Sequence, residues 1–210
     1  MQNLTGISID LPMGDINTAA SRFALSLSAE ELLHQTRSRM IPRFAYPLDH
    51  PMVFIKYGGP DLLAEGEMQM LAFRWLNQER QRTRCTIYAP EVYRILTIGH
   101  FTFLIMEIIQ GSTVREISEQ YNRLGNVSVE AEMSPYCDLV TEGIELLRQM
   151  PVPHDATPGP YTTRTRRRIN HMLFKDGEAV TEYNSIQELE DHLNRVCTIP
   201  TISNYVSYSY

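Results

Sequence analysis

Apolar and polar positions alternate along this chain in a way that predicts a mixed order of elements. The stretch VFIKYG, residues 53–58, is β-branched and aromatic, and it lies between Pro51 and a Gly-Gly-Pro break. That is too short a span for a helix, and it predicts a strand. From 61 to 80, Leu62, Leu63, Met70, Phe73 and Leu76 fall roughly at helical intervals, with Arg74, Glu79 and Arg80 available for water. A long amphipathic helix is expected there. Residues 91–109, EVYRILTIGHFTFLIMEII, split at Gly99-His100 into two apolar runs that read as a hairpin. The second run is almost wholly apolar and belongs inside its sheet.

Punctuation residues place the remaining helices. Ser28 and Glu31 have the spacing of a capping box, in which each side chain satisfies the other's free backbone N–H, and they open a helix over about 28–40 that stops before Pro42. Pro47 and Pro51 keep the next segment extended. Thr113 and Glu116 repeat the box after Gly111, and Ser185 and Glu188 repeat it before the last helix, which ends near 195. Ser134-Pro135 opens a helix to about 149, since proline suits a first turn, and the four prolines of 151–161 mark a loop.

Composition narrows the classes. The 210 residues, 43% apolar and 21% charged, suffice for a substantial core in one large domain or two small lobes. A net charge of -6 argues against nucleic acid as the main partner, and the basic run at 164–168 reads as a solvated loop. No secretory signal opens the chain, and FTFLIMEII is interrupted by Glu107 and too short to span a bilayer, so no membrane partner is expected. Cys85, Cys137 and Cys197 show no metal or disulfide spacing, which points to reduced thiols and a cytoplasmic setting. Cys137 reads as a small buried apolar group, and His154-Asp155 as part of a solvated loop. No metal site is expected.

Taken in order, VFIKYG, EGEMQML, APEVY and FTFLIMEIIQGSTV resemble the aminoglycoside phosphotransferase-like branch of the protein-kinase-like superfamily, in particular its fungal expansion. The later stretch MLFKDGEAVTEYNSIQELEDHLNRV is similar to a pattern of some fungal members, so the resemblance covers about 50–196. It implies an α+β, protein kinase-like two-lobe fold. Residues 1–49 would be an N-terminal helical extension, 50–110 a small antiparallel-sheet lobe with its long helix, 111–195 an incomplete helical lobe, and 196–210 an irregular tail. It also implies ATP and magnesium as cofactors. Lys56 would sit over the phosphates, with Glu65 or Glu67 holding it, and both partners fit the helix phase. Met106 would guard the back of the adenine pocket, and Glu107 and Ile109 would offer backbone groups to adenine.

The resemblance stops short of the catalytic machinery. Phosphoryl transfer in this superfamily needs a His-x-Asp loop followed by Asn, and a further Asp for metal. The six histidines, His34, His50, His100, His154, His171 and His192, are followed two places on by Thr, Met, Thr, Ala, Leu and Asn. The expectation is a phosphotransferase relative with no catalytic residues, one that transfers no phosphate and binds nucleotide weakly if at all. The alternative is an interaction module on the same scaffold. The tail admits two origins: a natural short protein, or translated intron, since Val196-Cys197 can be written GTATGT. Either way no phosphate transfer is expected; a chain cut near 195 would leave the helical faces of 135–149 and 186–195 partly bare, and a protein partner would cover them.

Overall fold

The computed structural model describes residues 11–12, 18–37, 39–83, 85–124, 129–152, 156–160, 168–169, 171–172, 174 and 177–197. The chain divides into two compact units, Met1–Pro151 and Val152–Tyr210.

In the first unit, β1 (Leu11–Pro12), β2 (Arg43–Tyr46), β3 (Val53–Gly58), β4 (Val92–Ile98) and β5 (Phe101–Glu107) make one antiparallel sheet, in the order β1-β4-β5-β3-β2. The expected hairpin is β4–β5, and it turns at Gly99, whose φ of 61° suits a residue without Cβ. The nearly all-apolar β5 is central because both of its faces are covered. Phe103, Leu104 and Ile105 are each fully buried.

One face packs Phe44, Val53, Ile55, Leu96, Phe103 and Ile105 against Ala24, Leu27 and Leu32. Those three come from α1 (Ala19–Ser26), its C-cap and α2 (Ala29–Thr36). The other face packs Ile95, Leu104 and Met106 against Leu62, Leu63 and Met70 of α3 (Asp61–Thr83). Fully burying each such side chain is worth about 1.5–3 kcal/mol. Strand alternation puts Phe54 and Lys56 on this second face.

Described residues before 50 take part in the sheet and its covering. Their β2 pairs with β3, their β1 pairs with β4, and their helices cover a sheet face. α1 is capped by Thr18, whose hydroxyl accepts the Ser21 N–H. A β-bulge between Val92 and Arg94 turns Tyr93 and Arg94 to the same side. Arg94, buried within an apolar strand, there donates to the carbonyls of Ala24, Leu25 and Leu27 at 3.4, 3.3 and 2.7 Å. It satisfies the orphan acceptors at the end of α1 and opposes the negative end of its dipole.

Helix α2 opens at the expected cap, with Ser28 Oγ accepting the Glu31 N–H, but it ends at Thr36. The Glu31 carboxylate accepts the Tyr46 hydroxyl at 2.6 Å, which ties α2 to β2. The Thr113–Glu116 box forms with both bonds and opens α4 (Val114–Leu124). α5 (Val129–Arg148) starts a turn and a half before the expected Ser134-Pro135 and carries Pro135 inside. A proline there removes one helical hydrogen bond, that of its missing N–H. Trp75 of α3 donates through Nε1 to the Leu146 carbonyl of α5 at 3.1 Å. α5 touches α3 within the first unit, which runs to Pro151. Two side chains differ from expectation. Glu79 is buried and pairs with Arg82, and Cys137 is exposed.

The second unit has its own small core, Phe174, Ala179 and Tyr183 with Ile169, Leu189 and Leu193. Its helix α6 (Ile186–Cys197) runs two residues past the expected end. Ser185 Oγ accepts the Glu188 N–H, and the Glu188 carboxylate accepts the Asn184 N–H. The Tyr183 hydroxyl and His192 Nδ1 lie 2.8 Å apart. His154-Asp155, Arg164–Arg167 and the tail beyond Cys197 lie outside the described residues.

Candidate functional site

The site begins with a glycine. A Cβ on Gly66 would lie 2.6 Å from Ile95 Cδ1 and 2.9 Å from Leu104 Cδ1, so any larger residue would have to displace those side chains where the first turns of α3 meet the sheet. That approach hangs Glu65 over the end of β3, where its carboxylate forms an ion pair with Lys56 Nζ. Both side chains are partly exposed, at 33% and 46%, so the pair contributes little to stability, at most about 1 kcal/mol. The open partner question is resolved at this level: Glu65 holds Lys56. Glu67 is buried at 7% exposure on the opposite flank of Gly66, some 200° around the helix from Glu65.

A residue not anticipated joins them. Arg43 of β2 is directly opposite Lys56 in the ladder, so the two cationic side chains share the α3 face at neighbouring positions. Like charges side by side repel, and a shared anion would relieve that repulsion. The signal was hidden in RFAY, whose pairing partner is set by a turn and not by local pattern.

At the other end of β3, Met106 is buried against α3. Gln69 Nε2 approaches its sulfur at 3.4 Å and donates to the Pro90 carbonyl at 3.0 Å. Glu107 serves as a staple. Its N–H donates to the Glu91 carbonyl at 2.8 Å, and its carboxylate accepts the Glu91 N–H at 3.1 Å and the Tyr88 hydroxyl at 3.3 Å. Burial first, and then the Glu107 charge, hold the Tyr88 phenol above its ordinary value. The same causes, joined by Glu91, push Tyr93 up to about 12. The Ile109 side chain is half exposed just beyond the strand.

These positions fall into two groups, Lys56–Glu65–Arg43 at one end of β3 and Met106–Glu107–Ile109 at the other. None of the predicted residues lines the open depression of about 700 Å³ formed by Asn77, Arg80, Gln81, Cys85 and Thr86. That depression belongs to the C-terminal half of α3. Among the described residues, no three His, Cys, Asp or Glu side chains converge on a point where a metal would sit. Arg43 thus stands beside the Lys56–Glu65 ion pair on the α3 face of the sheet. No helix among the described residues is long and apolar enough to cross a membrane. Comparison with family models, with curated proteins and with solved structures found no match to this chain.

Proposed function

We propose that the chain is a kinase-like scaffold, akin to the aminoglycoside phosphotransferases, that can hold a nucleotide phosphate but has no means of transferring it. The observation that carries this reading is the Lys56–Glu65 ion pair. It joins the end of a strand to the first turns of the helix that follows it. In protein kinases a strand lysine, held by a helix glutamate, pairs with the phosphates. The antiparallel order with β3 beside β5, and the chain leaving the sheet after Glu107, support the same reading.

Two departures define what the scaffold lacks. Kinases cover the phosphates with a glycine-rich hairpin, whereas the described strand beside β3 is the four-residue β2 with Arg43. Phosphate contact would then come from two side-chain cations. No His-x-Asp is present in the 210 residues, so these residues provide no group to orient an acceptor hydroxyl. Binding selective for the folded state must raise the melting temperature. Millimolar ATP, with or without magnesium, is expected to give a small rise that Lys56→Met abolishes, while radiolabelled ATP shows no transfer. An unshifted melt for the unaltered protein would sink the reading, as would transfer that depends on Lys56.

A second reading, an interaction module, is favoured by α5. Leu139, Val140, Ile144 and Leu147 are between 41% and 54% exposed along it. Concentration-dependent association in sedimentation would support it.

A further inference from the structure

We propose that the end of the sheet carrying Met40, Ile41 and Phe101 docks on an anionic membrane surface. Three strand ends meet there. The Tyr57 N–H donates to the Pro42 carbonyl at 3.0 Å, which sets the start of β2 beside the end of β3. The register Gly58↔Thr102 brings the start of β5 alongside. The Tyr57 ring bridges them, with centroids 6.2 Å from Phe44 and 6.3 Å from Phe101. From this end Met40 stands wholly in water at 101% exposure, with Ile41 at 60% and Phe101 at 41%. The core behind them is already closed, since Phe44 and Phe103 are 6% and 0% exposed. These apolar tips therefore complete no interior.

Charge selects the occupant. Between Leu32 and Leu48 the chain has Arg37, Arg39 and Arg43 and no carboxylate, although its net charge is -6. Arg37 and Arg43 are exposed. Arg39 donates through Nε to the Gln35 carbonyl at 3.1 Å and lies 3.9 Å over the Phe44 ring, so its charge is held beside the tips. Glu65, the nearby acid on α3, is already paired with Lys56, and Asp61 opens the same helix. The acids Asp49, Glu91 and Glu107 belong to the opposite end of the sheet, where Val53 pairs with Glu107.

Apolar tips ringed by guanidinium groups suit the boundary between lipid headgroups and acyl chains. Met40 and Ile41 would enter the apolar side while the arginines take lipid phosphates. Nucleic acid would use the arginines but would leave Met40 and Ile41 in water, because binding single strands relies on aromatic stacking. Lying on a membrane needs no spanning helix. The proposal does not rest on the nucleotide reading, since Met40 and Ile41 contribute nothing to that site.

The test is flotation of the full chain with vesicles of phosphatidylcholine, alone or mixed with phosphatidylserine. The protein should float only with the anionic vesicles and be released as salt rises. Met40→Ser with Ile41→Ser should weaken partitioning on the order of tenfold, because apolar burial scales with the groups inserted. Arg37→Gln should weaken it about fivefold, the share of one basic residue at an anionic surface. Leu48→Ser, a side chain 69% exposed in the β2–β3 turn at the other end, should change nothing. Failure to float with anionic vesicles overturns the proposal, and so does flotation indifferent to the Met40/Ile41 change. Equally tight binding of an oligonucleotide or polyaspartate, again indifferent to that change, would reveal a plain polyanion patch and overturn it too.

Discussion

The two longest helices, α3 with 23 residues and α5 with 20, share a unit and meet different fates. α3 buries Leu62, Leu63, Ala64, Gly66, Met70 and Leu76 against the sheet and its surroundings. No described side chain of α5 is fully buried, and four large apolar ones stand exposed. The difference lies in what each helix meets. A sheet face is broad and flat enough to cover several turns, whereas α5 is held by α4 and by Trp75. Apolar content alone does not make a helix part of a core.

The sharpest way to break this contrast is to shorten one side chain in each place. Leu104→Ala, under α3, should cost about 3–4 kcal/mol in urea unfolding, because it removes transfer energy and leaves a cavity. Ile144→Ala, on α5, should cost less than about 0.5 kcal/mol. Equal losses would mean that α5 is covered in solution. Glycines give the next test. Gly66→Val drives atoms into Ile95 and Leu104 and should cost about 2 kcal/mol by overpacking. For Gly143, a Cβ would sit 3.5 Å from Ile87, an ordinary contact, so Gly143→Ala should gain about 0.5–1 kcal/mol.

Titration gives the smallest effect, with opposite signs in the two regions. Tyr93, beside α1, titrates in the folded protein near 12 against an ordinary value of 10.0. Its contribution is whole below pH 10 and is lost as pH rises toward 12, so absorbance at alkaline pH should show a late phenol step that Tyr93→Phe removes. Glu116 at the start of α4 is held below its ordinary 4.5, first by the Thr113 N–H and then by its hydroxyl. Its contribution is whole above that value and fades as pH falls through the lowered one. Helicity lost on acidification should therefore vanish in Glu116→Gln. A late step that survives Tyr93→Phe, or acid loss unchanged by the Glu116 substitution, would contradict the assignment.

Whatever could be read from local periodicity was legible: the β4–β5 hairpin, the strand that carries Lys56, the long helix after it and three of the caps. Glu65 followed from its place in the EGEMQML pattern, although choosing it over Glu67 required seeing Gly66 against the sheet. What escaped reading was non-local. Nothing in RFAY says that Arg43 will face Lys56, and nothing in EVYRILTI says that a bulge will turn Arg94 toward α1. Cys137 looked like core because its helix is apolar enough, yet which face of a helix is covered depends on its neighbours.

The bond from Arg94 to the end of α1 also sets a timetable for synthesis. Arg94 and the Ala24 carbonyl are 70 positions apart in the chain, and β4 and β5 complete the face that covers α1 and α2. At 5–20 residues per second, the N-terminal helices wait roughly 4–14 seconds on the ribosome before Arg94 is made. During that interval the β4 and β5 part of the face that covers Leu27 and Leu32 does not yet exist.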